Sequence, residues 1–218
     1  MGKSSLANVL VGRDKNYDGR SFDSGCFKVS PGVDSMTKKT CADRGYWLGD
    51  SSGQRFTVID TPGFGDDLLE DERTIENLVT TLRDEIKYVH VFVIAFTQTD
   101  QRMTNALRSM LSLFEKMFGD KFWENAILEA THWNHGNESE RIRMASNPPI
   151  SKQYWSSEKN RILRKEYNVE SELKSVFIDT FYHPDSAFET QMFHHETQQL
   201  WDYAMSRTPF ECKNIHRT

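Results

Sequence analysis

The chain has 218 residues, 37% apolar and 27% charged, with a formal net charge of -5 and a pI near 5.8. This is a globular composition with enough length for one sizeable core; it excludes a disordered chain and supplies no overall basic field to attract nucleic acid. The longest apolar run, residues 89–96, is broken by His90 and falls short of the roughly 18 residues a membrane span needs, while Cys26, Cys41 and Cys212 share no metal-ligand spacing and fit a reduced, cytoplasmic setting.

The chain opens on Met1-Gly2-Lys3-Ser4-Ser5, the last part of the phosphate-loop pattern G-x-x-x-x-G-K-[ST]. A first helix is expected over 4–11, then a long polar connection over 13–40. Residues 41–48 and 55–60 read as a strand pair joined by a Gly-rich turn. The second of these ends in Asp60-Thr61-Pro62-Gly63. Ile75, Leu78, Val79, Leu82 and Ile86 repeat with a helical period. A buried strand over 89–96 follows, then a helix from Met103 to Phe118 closed by Gly119. Residues 126–131 form another strand, and 132–155 a polar surface insertion containing Pro148-Pro149. A helix over 156–167, a strand over 175–179 and a helix over 189–205 complete the pattern. Alternating strand and helix from about residue 55 onward predicts one α/β domain, a mainly parallel sheet sandwiched by helices. In such sheets ligands sit at the carboxyl ends of the strands, where Lys3, Asp60, residues 97–102, residues 131–134 and Thr180 fall.

A polyphosphate needs backbone N–H donors, a lysine, and a hydroxyl that reaches magnesium. Gly2 allows close approach of the backbone, Lys3 contacts the outer phosphates and Ser4 ligates magnesium. Asp60 at a strand end holds a water on the metal, and Gly63 offers its N–H to the terminal phosphate. Between them, a switch loop needs a threonine that meets both metal and phosphate; Thr37 is the first choice and Thr40 its rival. The two motifs in this order specify a nucleoside triphosphate with Mg2+. Adjacent histidines, His194 and His195, point to different faces of a helix and make no metal pair.

These residues, with 91–133, resemble the immunity-associated GTPases of the GIMAP/IAN type, relatives of the septins and the chloroplast import-receptor GTPases. Gly2-Lys3-Ser4-Ser5 is similar to that family's phosphate loop. Ser35-Met36-Thr37-Lys38-Lys39-Thr40-Cys41 is similar to its first switch, and Asp60-Thr61-Pro62-Gly63-Phe64 to its second. Gln101-Arg102-Met103-Thr104 with Phe118-Gly119 and Trp123 is similar to its distinguishing block. Thr131-His132-Trp133-Asn134 is similar to its base-recognition segment. The resemblance covers about residues 1 to 134.

It implies a P-loop G domain. Residues 1–12 would carry the partial phosphate loop and first helix, and 13–40 the first switch. The first strand and the start of the loop are absent, so a truncated sequence is expected. It further implies GTP and GDP as ligands, Mg2+ held by Ser4, Thr37 and, through water, Asp60, and base contacts from Thr131, His132 and Asn134. Face-to-face homodimerisation across the nucleotides would supply Arg102 as an arginine in trans.

Two departures bear on activity. Phe64 stands where a water-orienting glutamine is found in Ras-like enzymes, so hydrolysis is expected to be slow and stimulated by self-association. Asn134 stands where the family has aspartate, which accepts two N–H bonds from guanine; asparagine offers one acceptor and one donor group. A scaffold that holds no nucleotide and a base-unselective hydrolase are the alternatives to a GTP-driven conformational switch.

Overall fold

The computed structural model describes residues 2–13, 27, 40–61, 68–99 and 103–215. In chain order the elements are α1 (Lys3–Leu10), β1 (Cys41–Tyr46), β2 (Arg55–Asp60), α2 (Leu68–Asp84), β3 (Tyr88–Val89), β4 (Phe92–Thr97), α3 (Asn105–Phe118), α4 (Asp120–Glu124), β5 (Ala126–Thr131), α5 (Asn137–Ala145), α6 (Lys152–Tyr167), β6 (Ser175–Val176), α7 (Ala187–Ser206) and β7 (Phe210–Glu211). They fall into two compact units. One comprises 90–100 and 120–209; the other comprises 2–89, 101–119 and the chain from 210 onward.

The unit that contains the chain start is built on the antiparallel pair β1–β2, in register from Cys41↔Asp60 to Tyr46↔Arg55. Helix α1 lies against it: Ala7 and Val11 form a core with Phe27, onto which Cys41, Phe56 and Val58 pack. Asn8 Nδ2 donates to the Phe27 carbonyl at 2.8 Å, so a loop carbonyl buried beside the helix is satisfied. The chain leaves α1 through Gly12, whose φ of +72° and approach to the Gly49 backbone leave no room for a Cβ.

Helix α2 buries Leu78 and Leu82, one turn apart, and Arg83 caps the Ile215 carbonyl at 3.0 Å. Helix α3 starts on Thr104, whose hydroxyl accepts from Leu107 N, and ends at Gly119 with φ 59°. Its Phe118 meets Phe210 edge-on at 4.9 Å. Cys212 is a free buried thiol whose pKa burial pushes up to about 11. Cys41 is disulfide-bonded, so the reduced thiol expected there is not found.

The other unit is organised by the parallel sheet β4–β5–β6. Its register runs from Phe92↔Ala126 to Thr97↔Thr131, with Leu128↔Ser175 on the far side. Every residue of β5 is buried, as a strand paired on both edges and covered on its faces requires. Phe96, Trp155, Phe177 and Trp133 pack edge to face, with centroids 4.7 to 6.5 Å apart, and Lys159 lays its ammonium over Phe96.

Two strands differ from the sequence expectation. The run 89–96 is not one strand: Val89 pairs with Phe210 in a separate antiparallel sheet, and β4 begins only at Phe92, whose N–H takes the Asn125 carbonyl. The strand expected over 175–179 stops at Val176 because side chains take the next backbone groups. Phe177 N–H donates to Glu196 Oε2 at 2.9 Å and its carbonyl meets His135 Nε2 at 2.8 Å. The stretch 132–155 contains α5, and Trp133, His135, Arg143 and Trp155 within it are buried.

Candidate functional site

At the start of the chain, Gly2 takes a left-handed φ of 77° and turns the backbone into α1, a conformation glycine adopts without strain. The first helical bond runs from Leu6 N to the Gly2 carbonyl at 2.9 Å, so the N–H groups before Leu6 lie at the positive end of the helix, where an anion is favoured. Lys3 is the first helical residue and is half-buried, Ser4 follows, and Ser5 turns into the core.

Fifty-six residues later β2 ends at Asp60, 4% exposed. Ser4 Oγ donates to Asp60 Oδ2 at 2.6 Å. The fold thus brings together the hydroxyl and the carboxylate that the sequence nominates for magnesium. Both are hard oxygen donors, the kind Mg2+ takes, the hydroxyl as a direct ligand and the carboxylate as an acceptor for a water on the ion. The donor set therefore fits the ion. Thr37, Gly63, Phe64 and Arg102 lie outside the described residues.

In the unit of the parallel sheet, β5 delivers Thr131, His132 and Asn134 to its carboxyl end. Thr131 is buried and its hydroxyl donates to the Phe96 carbonyl at 3.2 Å, which makes it a strut between strands. His132 has φ 59°, so its ring leaves the strand line; it is exposed and lies nearly parallel to Phe181, 9° between planes and 6.2 Å between centroids. Trp133 turns inward under the Arg143 guanidinium, 4.4 Å from its ring, and Arg143 Nη1 donates to the Asn134 carbonyl at 2.7 Å. Burial lowers the Arg143 pKa from its usual value.

Asn134 is held on both sides of its amide. Its Nδ2 donates to Asp179 Oδ2 at 3.2 Å and its Oδ1 accepts from Gly136 N at 2.8 Å. Asp179, just past β6 and 2% exposed, also accepts from Phe181 N at 2.9 Å. Burial raises its carboxyl pKa above the ordinary value, against the lowering effect of those bonds. Further in, Glu196 joins Lys152 at 2.5 Å to the Phe177 amide, and His135, its pKa lowered chiefly by burial, closes the network on the Phe177 carbonyl.

Asp179, Arg143 and Glu196 do not stand out in the sequence. The one local sign is Asp179 two residues before the amide it accepts, an Asx-turn spacing after a strand. Glu196 sits beside the histidine pair on α7, and its oxygens are taken by Lys152 and Phe177. Among the described residues no group of three histidine, cysteine or carboxylate side chains forms a metal cluster, and no helix is long and apolar enough to cross a membrane.

Residues 1–165 match the model of the AIG1 family. Among solved structures, Toc33 from Arabidopsis thaliana in complex with Mg2+ and GMPPNP is similar, with a TM-score of 0.58 and 16% identity, covering 96% of this chain and 82% of that one. A dimerization-deficient mutant of the same protein gives 0.59 and 16% over 96% and 82%. Its complex with GDP and Mg2+ gives 0.59 and 16% over 97% and 83%. A search of curated proteins finds no match. At that identity the structures speak for a shared fold, the α/β P-loop G domain, and the sequence match over most of the chain settles the family: this chain belongs to the AIG1 family.

Proposed function

We propose that the protein binds GTP and GDP with Mg2+ and works as a conformational switch, hydrolysing GTP slowly and faster on self-association. The observation that carries this reading is the 2.6 Å contact between Ser4 Oγ and Asp60 Oδ2 at a helix start. It joins the two halves of a phosphate-and-metal motif that are far apart in sequence. Support comes also from the neighbours: Toc33 structures contain GMPPNP or GDP with Mg2+, and dimerization is important for the GTPase activity of the chloroplast translocon components Toc33 and Toc159.

In this reading Gly2, Lys3 and the start of α1 receive the phosphates, with Ser5 anchoring the helix turn from the core side. Ser4 and Thr37 ligate the metal, and Asp60 orients a water on it. Bound Mg2+ would neutralise charge on the phosphates. Gly63 reports the terminal phosphate, while His132 and Asn134 meet the base beside Thr131. Arg102 acts in the partner's site of a homodimer formed through the nucleotide face, where such an arginine is worth about 10³ to 10⁵ in rate. A single domain over the whole chain and a cytoplasmic location belong to the same proposal, although the Cys41 disulfide counts against the second, since reducing compartments rarely hold disulfides.

Titration of the purified chain with GDP in Mg2+, followed by single-turnover GTP hydrolysis across a range of protein concentrations, tests it. Micromolar or tighter binding that Lys3→Ala abolishes, with turnover rising with concentration, is the expected result. Absence of binding sinks the reading; concentration-independent turnover sinks the self-association part.

A further inference from the structure

The end of β6 decides what position 134 offers a base. Gly136 N–H points at Asn134 Oδ1 (2.8 Å), and Asp179 Oδ2 faces Asn134 Nδ2 (3.2 Å). Turning the amide over would set N–H against N–H and oxygen against carboxylate, so its orientation is determined by its neighbours. An amide carries two N–H groups and two oxygen lone pairs. One of each is spent, and one of each is left, with no further partner among the described residues.

Guanine, presenting N1–H and its 2-amino group side by side, asks for two acceptors. A carboxylate would supply them, but at position 134 it would stand against the buried Asp179 carboxylate, which is itself fixed by Phe181 N. Two carboxylates at that separation do not both ionise. Asn134 and Asp179 are therefore a matched pair: the acid at 179 calls for a donor at 134. The remaining donor and acceptor of Asn134 complement a purine with N1–H beside a carbonyl at C2. That purine is xanthine. Guanine in the same seat sets its amino group against the Asn134 N–H, a lost bond and a desolvated donor.

We infer that the base site accepts xanthine nucleotides at least as tightly as guanine nucleotides, with Asn134, oriented by Asp179 and Gly136, as the specificity-determining residue. This rests on the nucleotide-binding reading above and names the base class of the same site.

The test is calorimetric titration of the full chain with XDP and with GDP in Mg2+, repeated on the double variant Asn134→Asp with Asp179→Asn. The exchange returns a donor to position 179 and leaves two acceptors for guanine at 134. Wild type should bind XDP as tightly as GDP or tighter. The double variant should move the affinity ratio towards GDP by about tenfold or more, the equivalent of one hydrogen bond. Wild-type preference for GDP by tenfold or more overturns the inference and leaves the nucleotide reading standing. A folded double variant with an unchanged ratio also overturns it. Binding of neither nucleotide overturns both readings. If the double variant does not fold, the wild-type ratio alone decides.

Discussion

Asn160 on α6 pairs with the Leu173 backbone as a strand would: its Nδ2 donates to the Leu173 carbonyl at 3.0 Å, and its Oδ1 accepts from Leu173 N at 2.8 Å. Both groups are buried, and Leu173 comes just before β6, so one side chain ties the helix to the edge of the parallel sheet. Asn160→Ala strips two buried backbone groups of partners at once. A loss of about 2–4 kcal/mol is expected, read as a lower denaturant midpoint at unchanged slope. Asn160→Asp keeps the acceptor and loses the donor, so its loss should be measurable as well.

Glu129 gives a pH dependence of defined sign. It lies on β5 at 1% exposure, with Oε2 lacking a hydrogen-bond partner, and burial raises its pKa well above the ordinary value. The folded state therefore holds this proton more tightly than the unfolded chain does. Below the unfolded pKa of about 4.3 both states are protonated and the group adds no pH dependence. As pH rises above that value the unfolded state ionises first, and stability falls until the folded pKa is passed. Glu129→Gln removes this slope. Denaturation at pH 5 and pH 8 should show the variant gaining on wild type at the higher pH; parallel curves would refute the assignment.

Strand β5 and the site halves differ in how far the sequence betrays them. Ala126–Thr131 matches its expected bounds because a strand buried on both faces needs a mostly apolar run, and the sequence carries one that Glu129 alone interrupts before Thr131 closes it. The meeting of Ser4 with Asp60 is equally legible, since the two motifs demand particular residue types at particular spacings. Strand β6 is shorter than its apolar run because Glu196 and His135, 19 and 42 positions away, take the Phe177 backbone. No periodicity encodes that capture. The same holds for Asn134 and Asp179, 45 positions apart: each is a plausible loop residue alone, and only the fold makes them partners.

Glu196 should separate charge from hydrogen bonding. Its two oxygens serve Lys152 Nζ and Phe177 N. The Lys152 side chain is 36% exposed, so on losing its partner it regains water, whereas the Phe177 amide does not. Glu196→Leu should cost about 1–3 kcal/mol, chiefly for the orphaned amide, while Glu196→Gln keeps an acceptor for it and should cost less. Hydrogen exchange at Phe177 reads this directly: protection should fall sharply in the leucine variant and stay near wild type in the glutamine variant. Equal protection in all three would show that the amide does not depend on Glu196.

Ser4 and Asp60 test the metal reading apart from the fold. Ser4→Ala removes one charge-assisted bond to a buried carboxylate; both residues make further contacts, so the stability cost should lie near the low end of about 1–3 kcal/mol. Asp60→Asn retains a hydrogen-bonding partner for Ser4 but removes the negative charge, so it too should fold. If these oxygens hold Mg2+, the gain in GDP affinity on replacing EDTA with Mg2+ should shrink by about tenfold or more in each variant. Affinity without the metal should change far less. A metal dependence that survives both substitutions would mean that the 2.6 Å contact is a structural tie between α1 and β2 and that the ion binds elsewhere.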